Sequence, residues 1–144
     1  MQNTISIFNQ ILKGEHMAMD IYDSYINNIE DEGLRENLQK LQQDHKSHAM
    51  KLSTYIQDLG GAPQENRGFA GVMAQTMGIT NTFFKQEPKE ILTELYNGED
   101  KGIAKVVELT EGKLDEKSKG LVEEILAKDH DHLKKLSNLI GQYS

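Results

Sequence analysis

Apolar side chains recur along much of this chain in alternating steps of three and four residues, the period of an amphipathic helix. Four segments show the pattern, and none alternates with the period of two that marks a strand. The pattern predicts helices from about Thr4 (as an N-cap) to Asn28, after Glu32 to Leu59, from Pro88 to Gly112, and from near Asp115 through Ile140. The predicted fold class is therefore all-α.

The connections between these segments predict how the helices follow one another. Short turns near 30–33 and 111–115 make the first two helices antiparallel neighbours, and likewise the last two. Residues 60–87 are too many for a tight turn, and the apolar stretch FAGVMAQTMGI within them predicts a short helix. Two helical hairpins joined by a long crossover form one known four-helix-bundle topology. We expect a single four-helix-bundle domain over residues 1–144.

Composition and charge narrow the classes of function. The 144 residues include no cysteine, which excludes a disulfide framework and a thiolate metal site. A net charge of −7 argues against nucleic acid as a partner and favours a cation. No stretch has the apolar length of a membrane span, and the N-terminal residues lack the basic and apolar regions of a signal peptide. We therefore expect a cytoplasmic protein without a membrane partner.

Six residues interrupt the apolar stripes with metal-ligand chemistry. They occupy core-facing positions near the middle of the four helices: Glu15, His45, His48, Glu99, Asp129 and His132. Burying carboxylates without compensation costs several kcal/mol each. If they converge in one layer, a divalent cation would supply the compensating charge. Mixed oxygen and imidazole ligands favour iron, manganese or zinc over calcium or magnesium.

The spacing of these six residues repeats. His45 and His48 follow Glu15 by 30 and 33 residues, and the same two steps from Glu99 reach the pair in the fourth helix. Each glutamate also follows a glycine. Residues three apart lie side by side on a helix, so each pair can hold a metal. The chain is interpreted as two related hairpins, each with one glutamate and one i, i+3 ligand pair.

Several residues have a simpler interpretation. A lone histidine on the stripe could be a core residue bonded to a carbonyl, and a lone glutamate could reflect a misjudged helix phase. We interpret the methionines as core filler: Met17, Met19, Met50, Met73 and Met77. Tyr22 and Tyr96 are predicted core residues, with a hydrogen bond to a metal ligand as the alternative. The predicted surface charges are Asp20, Asp44, Asp100 and His16, although Asp44 would reach the site if the helix phase is off by one residue. His130 and Asp131 are expected to point away from the core.

The residues resemble the ferritin-like superfamily, the di-iron carboxylate bundles that include rubrerythrins and bacterioferritins, over nearly the whole chain. In that family two helices each give a glutamate and the other two each give a Glu-x-x-His pair. Glu15 and Glu99 match the lone glutamates, Asp129-x-x-His132 matches one pair with Asp for Glu, and His48 matches the other histidine. The resemblance implies two iron ions, with Asp129 bridging them and the two glutamates as terminal ligands.

The resemblance also implies a function, namely oxidation of ferrous iron or reduction of peroxide in stress protection, with oxygen or peroxide as partner and an external electron donor. His45 departs from the family pattern, which has a glutamate there, so a single metal, zinc or manganese stays open. The alternative function is a metal-stabilised structural or interaction bundle without turnover.

Assembly is predicted only in part. A mini-ferritin shell is disfavoured because its ligands lie between subunits, whereas these lie on four helices of one chain. No fifth helix follows the fourth, which disfavours a 24-subunit cage, and a homodimer stays open.

Overall fold

The computed structural model describes residues 2–64 and 86–144, which form four α-helices and no strand. The helices are α1 (Gln2–Ile26), α2 (Glu32–Asp58), α3 (Pro88–Thr110) and α4 (Glu116–Gln142). The all-α prediction is confirmed. The helix predicted within residues 69–79 lies outside the described residues. Thr4 lies inside α1, so its prediction as an N-cap is wrong, and α1 ends two residues before Asn28.

The chain divides into two compact units, one before Glu87 and one over Glu87–Ser144. We call α1 and α2 hairpin 1, and α3 and α4 hairpin 2. In each hairpin the two helices pack against each other. The apolar side chains with no exposed surface are Phe8, Leu12, Leu34, Leu38, Leu52, Ile56, Leu92, Ile125 and Leu136. Burying such a side chain contributes roughly 1.5–3 kcal/mol. The single-domain prediction for residues 1–144 stays a prediction.

Aspartate caps open the second helix of both hairpins. The Asp31 carboxylate accepts a hydrogen bond of 2.9 Å from the Leu34 backbone N–H, and the Asp115 carboxylate accepts one of 2.8 Å from Ser118. Each satisfies a backbone donor that has no partner within its helix. The predicted start of the fourth helix near Asp115 is therefore confirmed, because Asp115 is its N-cap.

The C-terminal end of α2 is capped by two glycines and packs against the start of α1. Gly60 has a φ of 86°, in the left-handed region, and its N–H donates a hydrogen bond to the Gln57 carbonyl. The Gly61 N–H donates to the Ile56 carbonyl, and the two bonds together form a Schellman motif that ends the helix. A Cβ at Gly61 would lie 2.7 Å from the Ile5 side chain, so only glycine fits this close approach. The predicted glycine stop after α2 is confirmed.

The buried Asn9 side chain holds the segment after α2 from both directions. Its amide donates to the Ala62 carbonyl at 3.2 Å, and its oxygen accepts from the Gln64 N–H at 2.9 Å. These two bonds span more than fifty positions of sequence. They therefore fix where the chain leaves hairpin 1.

The two hairpins have the same layout at an offset of 84 residues. Both ends of α4 follow the ends of α2 by this offset (32 to 116, 58 to 142), and so do the last residues of α1 and α3 (26 to 110). The N-caps Asp31 and Asp115 obey it too. From the last turn of α1 onward, the two hairpins therefore align with each other without an insertion or a deletion.

Some predicted core positions are wrong. Met50 is 73% exposed, because the helical rotation of 100° per residue places it away from the stripe through His48 and Leu52. The three- and four-residue steps also predict Val107 and Ile140 as core positions. Val107 is 44% exposed, because the same rotation takes it to the edge of the stripe through Ile103. Ile140 is half-buried, since α4 continues its stripe by a three-residue step to the buried Leu139.

The other four methionines predicted as core residues are not buried in the described part of the chain or lie outside it. Met17 and Met19 are half-buried on α1, and Met73 and Met77 lie outside the described residues. Tyr22 is buried as predicted, whereas Tyr96 is half-buried.

Candidate metal centres

Hairpin 1 brings Glu15 of α1 together with His45 and His48 of α2. The His45 Nδ1 donates a hydrogen bond of 2.9 Å to Glu15 Oε2, and the His48 Nδ1 lies 3.4 Å from the same oxygen. One potential ligand atom from each of the three residues lies within 4.8 Å of the other two. We call these three residues triad 1. All are buried, and Glu15 is only 6% exposed.

The helix geometry of α2 explains how two histidines reach one carboxylate. Positions 45 and 48 are three apart, so their side chains lie on the same face of the helix. Their rings stand nearly perpendicular, with centroids 6.2 Å apart, so that both turn a nitrogen toward Glu15. The sequence spacing therefore gives a convergent set of donors within the hairpin.

Hairpin 2 brings together the equivalent residues, Glu99 of α3 with Asp129 and His132 of α4. The His132 Nδ1 donates to Glu99 Oε2 at 3.2 Å and lies 4.0 Å from Asp129 Oδ1. One potential ligand atom from each lies within 4.8 Å of the other two. We call these three residues triad 2. His132 has no exposed surface, and both carboxylates are buried.

The environment of Glu15 favours its charged form. Burial by itself raises the pKa of the Glu15 carboxyl, but the hydrogen bonds and charge of His45 and His48 oppose this, and the net pKa lies below its ordinary value. Glu15 is therefore an ionised acceptor between two imidazoles. A carboxylate in this state is ready to bind a cation without first releasing a proton.

Two further buried side chains lie beside triad 1: Tyr22, predicted as a core residue with a hydrogen bond to a metal ligand as the alternative, and Gln42, which sequence reasoning missed. The Tyr22 ring lies 5.5 Å from the His45 ring, centroid to centroid. The amide of the buried Gln42 donates to the Met19 carbonyl at 2.9 Å and to the Asp23 carboxylate at 2.6 Å, joining α2 to α1 one turn from His45. Its place three residues before His45 on the same stripe was the available signal.

The other charged residues singled out in the sequence lie outside both triads. His130 is exposed, and Asp131 pairs with Lys135 at 3.1 Å on the half-exposed face of α4. The predicted outward direction of this pair is therefore confirmed. Asp100 is exposed as expected, while Asp20, Asp44 and His16 are half-buried and so only partly fit a surface assignment.

The donor chemistry of both triads fits a transition-metal ion. Each offers imidazole nitrogen and carboxylate oxygen, the mixture that suits iron, manganese and zinc. In each, a carboxylate from one helix meets an i, i+3 pair from the next, so the hairpin packing itself holds the donors in place. Three protein ligands leave positions open for water or substrate.

The family comparison covers most of the chain. Residues 3–112 match the family described as Domain of unknown function (DUF2383). The chain belongs to the DUF2383 family. The matched region contains triad 1 and Glu99, while Asp129 and His132 lie beyond it. None of the curated proteins compared matches the chain.

Two solved structures show what this DUF2383 chain resembles in fold. One is a dodecameric thioferritin, the bacterioferritin-related protein of Bacteroides fragilis, with a TM-score of 0.72 and 16% identity over 98% of this chain and 86% of that one. The other is a DUF305 fragment from Deinococcus radiodurans, with a TM-score of 0.68 and 10% identity over 99% and 97% of the two chains. The first likeness shows a ferritin-like four-helix fold.

Among the helices of the described residues, none joins sufficient length to the apolar character that crossing a bilayer demands.

Proposed function

We propose that this DUF2383 protein is a ferritin-like metal-binding protein that holds two metal ions, one at each triad, with iron as the redox-active ion. The observation that carries the proposal is the burial of two complete donor sets, each with its ligand atoms within 4.8 Å of one another. Membership of the ferritin-like superfamily belongs to the same proposal, and the likeness in fold to a thioferritin supports it.

The chain's own residues would bind, orient and shield the ions. Glu15 and Glu99 present carboxyl oxygens from the first helix of each hairpin, and the i, i+3 pairs of α2 and α4 close each site from the facing helix. When bound, iron would supply one-electron redox chemistry toward oxygen or peroxide. Reducing one hydrogen peroxide to two waters takes two electrons and two protons, which two ferrous ions and solvent can provide. We propose ferrous-iron oxidation or peroxide reduction in stress protection as the resulting activity.

Metal content is the first test. Protein purified from its native host should contain about two metal ions per chain by elemental analysis, in line with one per triad. The matched control is Asp131→Asn, which removes a carboxylate from the solvent side of the same helix and should leave the content unchanged. An Asp129→Asn variant should lose metal from hairpin 2. Failure of the wild-type protein to bind iron, zinc or manganese would sink the proposal.

Turnover is the second test. Ferrous iron added in air to the metal-free protein should give fast colour development, followed optically, and hydrogen peroxide should speed it. His132→Ala should slow the reaction, whereas Lys135→Ala on the exposed side of α4 should not. A wild-type protein that holds iron but develops no colour would contradict an oxidase.

A structural role is the second candidate, and triad 1 is the observation that favours it. Triad 1 has a single carboxylate beside two imidazoles, so it offers less negative charge to a ferric ion than the carboxylate-rich sites of di-iron proteins. A metal held there can stabilise hairpin 1 without turning over. Tight metal binding, a large gain in unfolding temperature and no iron oxidation would identify this role. The homodimer and the cytoplasmic location stay predictions.

A further inference from the structure

We propose that Gln42 is a positioning residue for triad 1, which holds α1 and α2 in the register that brings Glu15 to His45. Its effect on metal binding rests on the proposed function. Gln42 is only 4% exposed and belongs to neither triad, so the burial of its amide needs an explanation. Its amide N–H groups reach α1 twice, at the Met19 carbonyl (2.9 Å) and at the Asp23 carboxylate (2.6 Å).

Two hydrogen bonds, one helical turn apart, cross from α2 to α1 beside triad 1. His45 donates to the Glu15 carboxylate. Gln42 lies three residues earlier on α2, and it donates to Met19, which lies four residues later on α1 than the glutamate. Residues three or four apart share a face of a helix, so the two bonds lie side by side between the antiparallel helices. One bond would let the helices pivot about it, whereas two bonds a turn apart oppose both pivoting and sliding.

The backbone acceptor gives the Gln42 bond its influence on Glu15. The hydrophobic packing of α1 on α2 has no direction of its own. A hydrogen bond weakens steeply as it becomes misaligned, and the Met19 carbonyl is a main-chain group of α1, so the bond fixes the helix itself. Glu15 lies one turn away on the same face. Metal sites need this precision, because ligand distances must agree to within about 0.2 Å.

Stability alone does not explain a glutamine at position 42. The Met19 carbonyl lies inside α1, where the helix provides the Asp23 N–H as its donor, and the Asp23 side chain is exposed to water. An apolar residue in place of Gln42 would therefore leave neither acceptor buried without a partner. Such a residue would serve the core about as well. What it could not provide is a directional bond to α1.

The equivalent positions of hairpin 2 exchange both donors together. At the 84-residue offset, Gln42 corresponds to Leu126, whose side chain cannot donate a hydrogen bond, and His45 corresponds to Asp129. The histidine that donates to its glutamate from this depth of the helix is thus accompanied by the glutamine, and the aspartate is accompanied by the leucine. This pairing is expected if the glutamine maintains the geometry of the histidine bond.

The first test compares Gln42→Met with the wild type in the metal-free, full-length protein. Methionine has a similar length and volume but removes both donors, and Gln43→Met makes the same chemical change at the adjacent exposed position as the matched control. Nitrogen NMR of the histidine rings should show His45 with its proton on Nδ1 in the wild type and the control. In Gln42→Met this form should mix with the Nε2–H form. The urea midpoint should stay near that of the wild type, which separates positioning from a merely structural role.

Zinc titration measures the consequence for metal binding. Zinc is diamagnetic, so the ring signals of His45 and His48 can be followed while the ion is added, with the exposed His130 as a reference. Gln42→Met should lower the zinc affinity that these rings report by about tenfold, since residues that orient metal ligands typically contribute roughly 10–100-fold. Gln43→Met should leave the affinity unchanged.

Substitutions of Asp23 grade the effect. Asp23→Ala removes one of the two acceptors of Gln42 and should cause a smaller change in the His45 signals and in zinc affinity than Gln42→Met. Asp23→Asn keeps a side-chain oxygen at that position and should behave like the wild type. Circular dichroism checks that each variant folds. If Gln42→Met does not fold, Asp23→Ala decides, because its position is exposed.

Failure of this inference differs from failure of the proposed function. Unchanged His45 signals in Gln42→Met would overturn the positioning role, as would a zinc affinity that falls only in step with the urea midpoint. A wild-type chain that binds none of zinc, iron and manganese would instead contradict the proposed function. The metal-free comparison of the His45 ring would then decide the positioning role alone.

Discussion

Hairpin 1 and hairpin 2 share their scaffold and differ in their chemistry. The bounds of the second helices, the last residues of the first helices, the aspartate caps and the buried stripes repeat at a constant offset, while the triads exchange a histidine for an aspartate. The surroundings differ as well, because a tyrosine ring lies against His45 and a glutamine joins the two helices nearby. The comparison teaches that the parts that specify a helical hairpin are separable from the few residues that decide what it binds.

The largest expected effect is the loss of stability on truncating a core leucine, and it tests whether the two hairpins unfold in one transition. Leu52 and Leu136 are equivalent and have no exposed surface, so each change to alanine should cost about 2–5 kcal/mol of unfolding free energy. Urea unfolding followed by circular dichroism should show a single transition with a lower midpoint in both variants. Ser137→Ala, at the exposed neighbouring position, is the control. Two separable transitions, each sensitive to one variant, would contradict the single-domain prediction.

The second-largest expected effect is a loss of metal affinity that is confined to the hairpin carrying the substitution. Glu15→Gln keeps the shape of the side chain but removes the charged oxygen that both imidazoles face, and Glu99→Gln does the same in hairpin 2. Each variant should lose roughly 100-fold in affinity at its own triad, since even changes one shell further out cost 10–100-fold. Calorimetric titration should therefore show two sites falling to one. Loss of both ions in both variants would show that the triads are not independent.

Removing a helix cap should lower the stability of the protein by a smaller amount, and by a similar amount in the two hairpins. Asp31→Ala removes the acceptor of the Leu34 N–H and should cost about 1 kcal/mol. Asp115→Ala should destabilise in the same direction. Thermal unfolding measures both, with Glu123→Gln at an exposed position of the second turn of α4 as the control. An effect of one cap but not the other would break the equivalence of the two hairpins.

The Asp115 cap also predicts a pH dependence. The backbone hydrogen bond from Ser118 lowers the pKa of Asp115 below its ordinary value of 3.8. A group with a lowered folded pKa stabilises fully above its unfolded pKa, and the contribution disappears as pH falls through the folded pKa. The difference in unfolding temperature between wild type and Asp115→Ala should therefore be present at neutral pH and shrink in acid below 3.8. A difference that grows in acid would contradict this.

The smallest expected effect concerns an exposed apolar side chain. Met50→Lys installs the residue that hairpin 2 carries at the equivalent Lys134, and both positions face solvent. The unfolding free energy should change by less than about 0.5 kcal/mol. A urea midpoint that moves further would show that Met50 is covered in solution.

The sequence was sufficient for the helices and for the core-facing positions of the six candidate ligands. Regular steps of three and four residues determine a helix face, and a buried charged residue on that face is conspicuous. The 30- and 33-residue spacing then predicted which residues share a hairpin. Their role as metal ligands stays a prediction.

The same steps could not determine which residues at the edges of each apolar stripe are buried. Three- and four-residue steps are equally regular, so the pattern predicts Ile140 as a core residue where Leu139 is the buried one. The repeat itself held the answer, since the buried Tyr55 lies 84 positions before Leu139. Gln42 was missed because one polar residue on a stripe carries no chemistry until its partners on the facing helix are known.

The constant 84-residue offset has an evolutionary consequence. Two hairpins that match residue for residue from the last turn of the first helix to the end of the second are the expected product of one ancestral gene copied and joined to itself. Before such a fusion, every substitution would enter both copies, so an assembly of identical hairpins could not carry histidine at one site and aspartate at the other. Joining the copies in one chain lifts that constraint. A fused chain can therefore inherit two unequal halves from an ancestor whose halves were identical.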